Sequence, residues 1–262
     1  MPSITPVRAA SIRERSQVSD YAARALEAIT QIAPAAEPPQ LLDRLTLATA
    51  AIGASGSIFT ASIPEGGLDP SCFTLFACHP AIAQLHGNKE HLLKHPWFRF
   101  AQTHTIAATD RQIALTHDAD RAAVRLAREH GFRSCLVVPN PENAPTGRSE
   151  MFCIGSDTAD DFEGPEARTV RSLARALAAE LHDWLTRYLQ ERLRAAANLQ
   201  AADVDLLSLE WQGLGTKEIA RRTGMSESSV DSRFQRINVR LRCSNRKHSA
   251  RRAAAYGLLE ST

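Results

Sequence analysis

The stretch "GTKEIARRTGMSESSV", Gly215 to Val230, constrains the fold of this chain more than any other. Gly224 lies four residues and Val230 ten residues after Ala220. A small residue at Ala220 lets a following helix cross closely, Gly224 permits the tight turn, and Val230 fills the contact between the helices. That is the geometry of two helices at a steep angle around a glycine-containing turn. Apolar spacing predicts four short helices, over 202–212, 216–223, 227–241 and 246–256, with Gly213, Gly224 and Gly257 at their stops. Thr216 and Ser226 each precede a helical run, and their hydroxyls are expected to cap it.

Charge sharpens this reading. The whole chain carries a net +2, yet Gly213–Arg252 holds eleven Lys and Arg against Glu218, Glu227 and Asp231. A dense basic unit on an otherwise slightly acidic chain suits a polyanion. The second helix of the pair offers Ser226, Ser229, Arg233, Gln235, Arg236 and Arg240. Arg can bond guanine bidentately and Gln can bond adenine, while a hydroxyl or a helix N-terminus can take a phosphate. Double-stranded DNA is the partner these groups fit.

Residues 199–259 resemble the DNA-binding domain of the LuxR family of bacterial transcription regulators. "KEIA", "MSESSV", "NR" and the closing "GLL" fall at the family's positions without gaps. The resemblance implies DNA contacts from Thr216, Lys217, Ser229, Arg233 and Arg236. Ala202-Asp203 stands where the family usually has Arg-Glu, and Asp231 where a basic or amide residue is common.

The front of the chain reads as α+β. Two helices around Tyr21–Ile32 and Leu41–Leu47 precede the hairpin pair "GSIFTASIP" and "SCFTLFAC". Short helices between 80 and 107 and a helix over 119–130 lead to a second pair, "FRSCLVVP" and "SEMFCIGS". An α/β/α sandwich with an antiparallel sheet follows, covered by helices. A long helix then begins near Pro165. Its stripe Val170, Leu173, Leu177, Leu181, Trp184 and Tyr188 either packs on its own sheet or pairs with a second subunit. The expected domains are a flexible tail over 1–19, a regulatory domain over 20–189, a linker over 190–198 and a helix-turn-helix domain over 199–262.

This front region resembles the autoinducer-binding domain of quorum-sensing LuxR regulators, chiefly through "HGFRSCLVVP", where Cys135 replaces a glycine. The family's ligand anchors do not carry over: its Asp-Pro becomes His95-Pro96, and "CHPAIAQLHG" lacks the Trp and Tyr. Trp97, Phe98 and Phe100 could rebuild an aromatic wall. His95, Trp97, Phe100 and Cys135 are therefore the ligand candidates, with three alternatives open: an acyl-homoserine lactone, the least supported of them, a different small molecule, or no ligand.

Five scattered cysteines without a CxxC pair argue for a reduced compartment, and no run is apolar enough for a membrane span. The sequence shows no phosphate-binding loop, nucleophile elbow or convincing catalytic constellation. His91 and His95 have the spacing of a metal pair without an obvious third ligand. Neither an enzyme, a cofactor nor a metal is expected. The reading is a cytoplasmic, homodimeric, sequence-specific transcription regulator, with RNA polymerase and a small-molecule signal as further partners it could meet. The alternative is an antagonist that heterodimerises with another LuxR-type regulator and needs no ligand.

Overall fold

The computed structural model describes residues 11–86, 88–140 and 146–259. They divide into two compact units. The first draws on Met1–Thr60, Thr74–Asn140 and Met151–Leu181, and the second on Ala61–Phe73, Pro141–Glu150 and His182–Thr262. Residues 1–10 of the expected tail, 141–145 between the second pair of strands and 260–262 of the expected C-terminal domain lie outside the described residues.

The N-terminal part of the chain forms an antiparallel sheet in the order β2-β1-β5-β4-β3. Strands β1 (Gly56–Ile63), β4 (Ser134–Pro139) and β5 (Ser149–Ser156) are buried almost throughout, whereas β2 (Ser71–Ala77) is a half-buried edge. Burial along every residue, not every second one, means that both faces are covered. One face carries Ile58, Cys135, Val137, Met151 and Cys153, packed with Trp97, Phe98, Val124 and Phe132. These come from α6 (Pro96–Thr103), α7 (Asp118–Glu129) and the start of β4's approach. On the alternate face, Thr49 of α3 (Pro38–Ile52) bonds Ser57 Oγ at 2.6 Å. The α+β sandwich expected from the sequence is the fold found.

Three local expectations need correction. Residues 11–19 are not a tail: α1 (Ile12–Ser16) has a reciprocal cap between Ser11 and Glu14, and Ile12 is fully buried. Its backbone N–H also donates to Asp161 Oδ2 at 3.2 Å. The edge strand β3 (Ala108–Thr109), paired antiparallel with Val137 and Leu136, was invisible because two residues cannot display an alternation. Finally, 190–197 is no loose linker. α8 runs unbroken from Arg168 to Ala197, since "QERLRAAA" consists of strong helix formers, and Leu193 and Ala197 are buried.

The stripe on α8 also has its answer. Val170, Leu173, Leu177, Leu181 and Trp184 are each no more than 3% exposed in the single chain. Trp184 stacks on Tyr188 with ring centroids 4.8 Å apart, and Phe73 packs against both. The stripe is intramolecular core, and the reading in which it pairs with a second subunit is withdrawn.

Candidate nucleic-acid interface

The second unit contains α9 (Ala201–Trp211), α10 (Thr216–Thr223), α11 (Glu227–Arg240) and α12 (Arg246–Ala255). Leu206, Leu207, Ile219, Ala220, Val230, Phe234, Ile237 and Leu241 form their shared core with three alanines of α12. Gly224 closes α10 with a left-handed φ of 69°, a conformation that costs a side chain but not glycine. Ser226 then caps α11, its Oγ accepting from Ser229 N at 3.2 Å.

Thr216 does not cap α10 as expected. The cap is Gly215, whose N–H donates to Glu218 Oε2 at 3.3 Å. Thr216 instead opens the helix, accepting from Arg246 Nη1 at 2.7 Å and donating to Asp231 Oδ1 at 3.5 Å. The hydroxyl is thus a joint between α10, α11 and α12.

Helical geometry sorts the side chains of α11. At ~100° per residue, Val230, Phe234 and Ile237 define the buried line, and Ser228, Ser232, Gln235 and Val239 lie opposite, with Arg236 beside them. All five are exposed, as are Ser229 in the first turn and Lys217 on α10. This outward face presents two hydroxyls, an amide, a guanidinium and one apolar group. Val239, at 79% exposure, was missed by the sequence reading because a valine near the end of an amphipathic helix passes for core.

Arg233 and Arg240, by contrast, are turned to the flank. Arg233 Nε donates to Asp203 Oδ1 at 2.8 Å, and Arg240 Nη1 reaches Asp203 Oδ2 at 3.3 Å and Asn198 O at 3.3 Å. Two arginines seven residues apart share one carboxylate because seven residues make nearly two helical turns. The Asp203 side chain is 4% exposed and also accepts from Gln200 N at 3.0 Å. Burial alone would raise its carboxyl, but the Arg233 bond, the Gln200 N–H and the Arg240 charge outweigh it and hold it below the ordinary 3.8.

A lowered folded pKa contributes stability above the unfolded value, and that contribution is lost as pH falls through the folded one. The urea midpoint of the C-terminal helices is therefore expected to drop when pH falls below about 3.8, more in the wild type than in Asp203→Asn. Parallel acid profiles for the two chains would refute this role for Asp203.

The ligand candidates of the first unit lie in one apolar cluster but are not gathered into one site. His95 caps α6, its Nδ1 accepting from Trp97 N at 3.3 Å, and meets the Trp97 ring edge-on at 4.8 Å. Both line a cavity with Ile58, Ile82, Leu92 and Phe132 whose volume is about 10 Å³, room for a single water. The Trp97 Nε1–H is buried without a hydrogen-bond partner among the described residues. Phe100 lies off this cavity and stacks on His104 at 4.1 Å. Cys135 is buried in β4, its N–H donating to Asp110 Oδ1 at 3.1 Å. Burial first, then the neighbouring Cys153, pushes its thiol well up, so it stays an uncharged apolar filler. His91 is exposed while His95 is buried beyond the end of its helix, so the pair shares no face. No helix among the described residues is long and apolar enough to cross a membrane.

No protein-family model matches the chain, and no curated protein matches it in sequence. Solved structures do. SdiA of Escherichia coli superposes with a TM-score of 0.68 at 15% identity, covering 92% of this chain and 100% of that one. SdiA in complex with octanoyl-rac-glycerol gives 0.66 at 14% identity, over 94% and 100%. CepR2 of Burkholderia cenocepacia, described as an N-acylhomoserine-lactone-dependent LuxR family transcription factor, gives 0.53 at 13%, over 66% and 99%. The chain has the fold of these LuxR-type regulators.

Proposed function

We propose that the chain is a sequence-specific, DNA-binding transcription regulator of the LuxR type, with α11 entering the major groove. The observation that carries this reading is the outward face of α11, polar and exposed directly opposite its buried line, within a segment of net +8. Gln235 and Arg236 read base edges there, and Ser229, Lys217 and the α11 N-terminus at Ser226 take phosphates. Arg233 and Arg240 act through Asp203, holding the angle between α9 and α11. The operator-bound form is a homodimer with half-sites about one helical turn apart. The test is selection of duplexes from a random pool by the purified chain, followed by footprinting. Enrichment of no motif would refute the reading.

A small molecule as the signal is supported by the ligands named for SdiA and CepR2. In this chain its seat is the cavity beside Trp97, which admits a ligand only if side chains such as Ile82 and Trp97 give way. The small volume equally favours the second reading, a ligand-free antagonist of another regulator. Specific footprinting by the pure homodimer excludes that reading; loss of a second regulator's footprint when this chain is added, with no protection by this chain alone, would support it.

Asp231 qualifies the electrostatics. It is exposed at the start of α11, where the helix dipole favours a negative charge by about 0.3–1 kcal/mol. Facing DNA, the same charge is repelled by phosphates. Asp231→Asn is expected to tighten binding to operator and scrambled duplexes alike, more at low salt than at high. A loss confined to one operator position would instead make Asp231 a base reader.

A further inference from the structure

The end of the hairpin between β1 and β2 carries chemistry that DNA reading does not use. Glu65 lies there, with its carboxylate on three partners. Its Oε2 pairs with Arg252 Nη2 at 2.7 Å, and its Oε1 accepts from Tyr256 Oη and Ser71 Oγ, each at 2.6 Å. The Glu65 and Arg252 side chains are only 12% and 17% exposed. An exposed pair would contribute little, but this one is withdrawn from water and supported by neutral donors. Burial, and then the Glu65 carboxylate, raises the Tyr256 hydroxyl, so it remains a donor at neutral pH.

Arg252 carries the connection onward. Its Nη1 donates to Leu241 O at 2.6 Å, and Leu241 is the residue that ends α11. Carbonyls at a helix C-terminus have no partner inside the helix and need one from elsewhere. Cys243 Sγ reaches the same oxygen at 3.3 Å. The hairpin backbone fits closely against this corner: Gly66 has a φ of +64°, and a Cβ on it would lie 2.6 Å from Cys243 Sγ and 3.0 Å from His248 O. Every residue in this chain of contacts belongs to the second compact unit.

We propose that Glu65 is a positioning residue for the DNA-reading helix: by holding Arg252 on the Leu241 carbonyl, the β1–β2 hairpin sets how the C-terminal end of α11, with Arg236 and Val239, is presented. The inference rests on the reading of α11 as the groove helix. It makes DNA affinity depend on the state of a hairpin that is distant in sequence and touches no base.

Two effects of opposite sign separate this from a simple charge effect. Removing a carboxylate from a basic unit should tighten binding to any DNA. Loosening α11 should weaken binding to the operator alone. Glu65→Gln keeps the shape and one acceptor but loses the ion pair. It is expected to weaken operator binding about tenfold, as for loss of one charged hydrogen bond, while scrambled duplex binds no more weakly than before. Amide exchange at Leu241, Arg242 and Cys243, whose N–H groups donate back into α11, should accelerate by a similar factor.

Unchanged exchange at 241–243 in Glu65→Gln would overturn the inference, as would equal weakening on operator and scrambled DNA. If the chain selects no operator, the exchange result still decides whether Glu65 holds the end of α11. The reading of α11 as a groove helix then fails separately.

Discussion

Leu181→Arg is expected to leave the chain unfolded, not monomeric. Leu181 is fully buried on α8, between Leu177 and Trp184, which are likewise withdrawn from solvent. A guanidinium there has no carboxylate to meet among the residues of its stripe, and an unpaired buried charge costs several kcal/mol. That is comparable with the whole stability of a typical domain, about 5–15 kcal/mol. Circular dichroism and a melting curve decide the point. A folded chain with a native melting temperature would mean that the side chain escapes to water, and the stripe would again be available for pairing between subunits. Leu181→Ala, by contrast, should fold with a loss of about 2–5 kcal/mol.

The second large effect separates two arginines that sequence reading treated alike. Arg236→Ala should remove a base contact worth about 1–3 kcal/mol, with melting unchanged, because Arg236 is exposed on the outward face of α11. Arg233→Ala should lower the melting temperature as well. It leaves the buried Asp203 carboxylate with Arg240 at 3.3 Å and without its 2.8 Å partner. Binding and melting measured on both variants are the test. If Arg233→Ala loses operator affinity at full stability, then it reads DNA after all and the role assigned to Asp203 is wrong.

The contrast shows what was legible in the sequence. Ala220, Gly224, Ser226 and Val230 specify the two-helix unit through local geometry, and each occupies the position its spacing implies. The hairpins were readable because β-branched and aromatic runs are bounded by turn residues. What escaped was every decision made by a distant partner. The bond from Arg233 to Asp203 is made with a residue thirty positions away, so no window around α11 contains it. Thr216 looks like a cap by its position, but Arg246 claims its hydroxyl. The α8 stripe has the spacing of an intersubunit seam as much as of a core helix, and it is burial by residues distant in sequence, Phe73 against Trp184 among them, that tells them apart. His95 and Trp97 do share a cavity wall, yet nothing local reports that the cavity holds no more than a water.

The pairing of Asp203 with two arginines reaches beyond geometry into the thermodynamics of ions. Of the eleven basic residues in Gly213–Arg252, at least four already have a carboxylate: Arg233 and Arg240 on Asp203, Arg246 on Glu210, and Arg252 on Glu65. A cation so neutralised has little condensed salt to displace from a duplex. At most seven of this segment remain to do so, which caps its share of the logarithmic salt dependence at a slope of about −6, where a count of the segment's sequence alone would allow roughly −10. On the proposed reading of α11, the acidic partners would thereby shift weight from indiscriminate attraction to the few groups that reach bases.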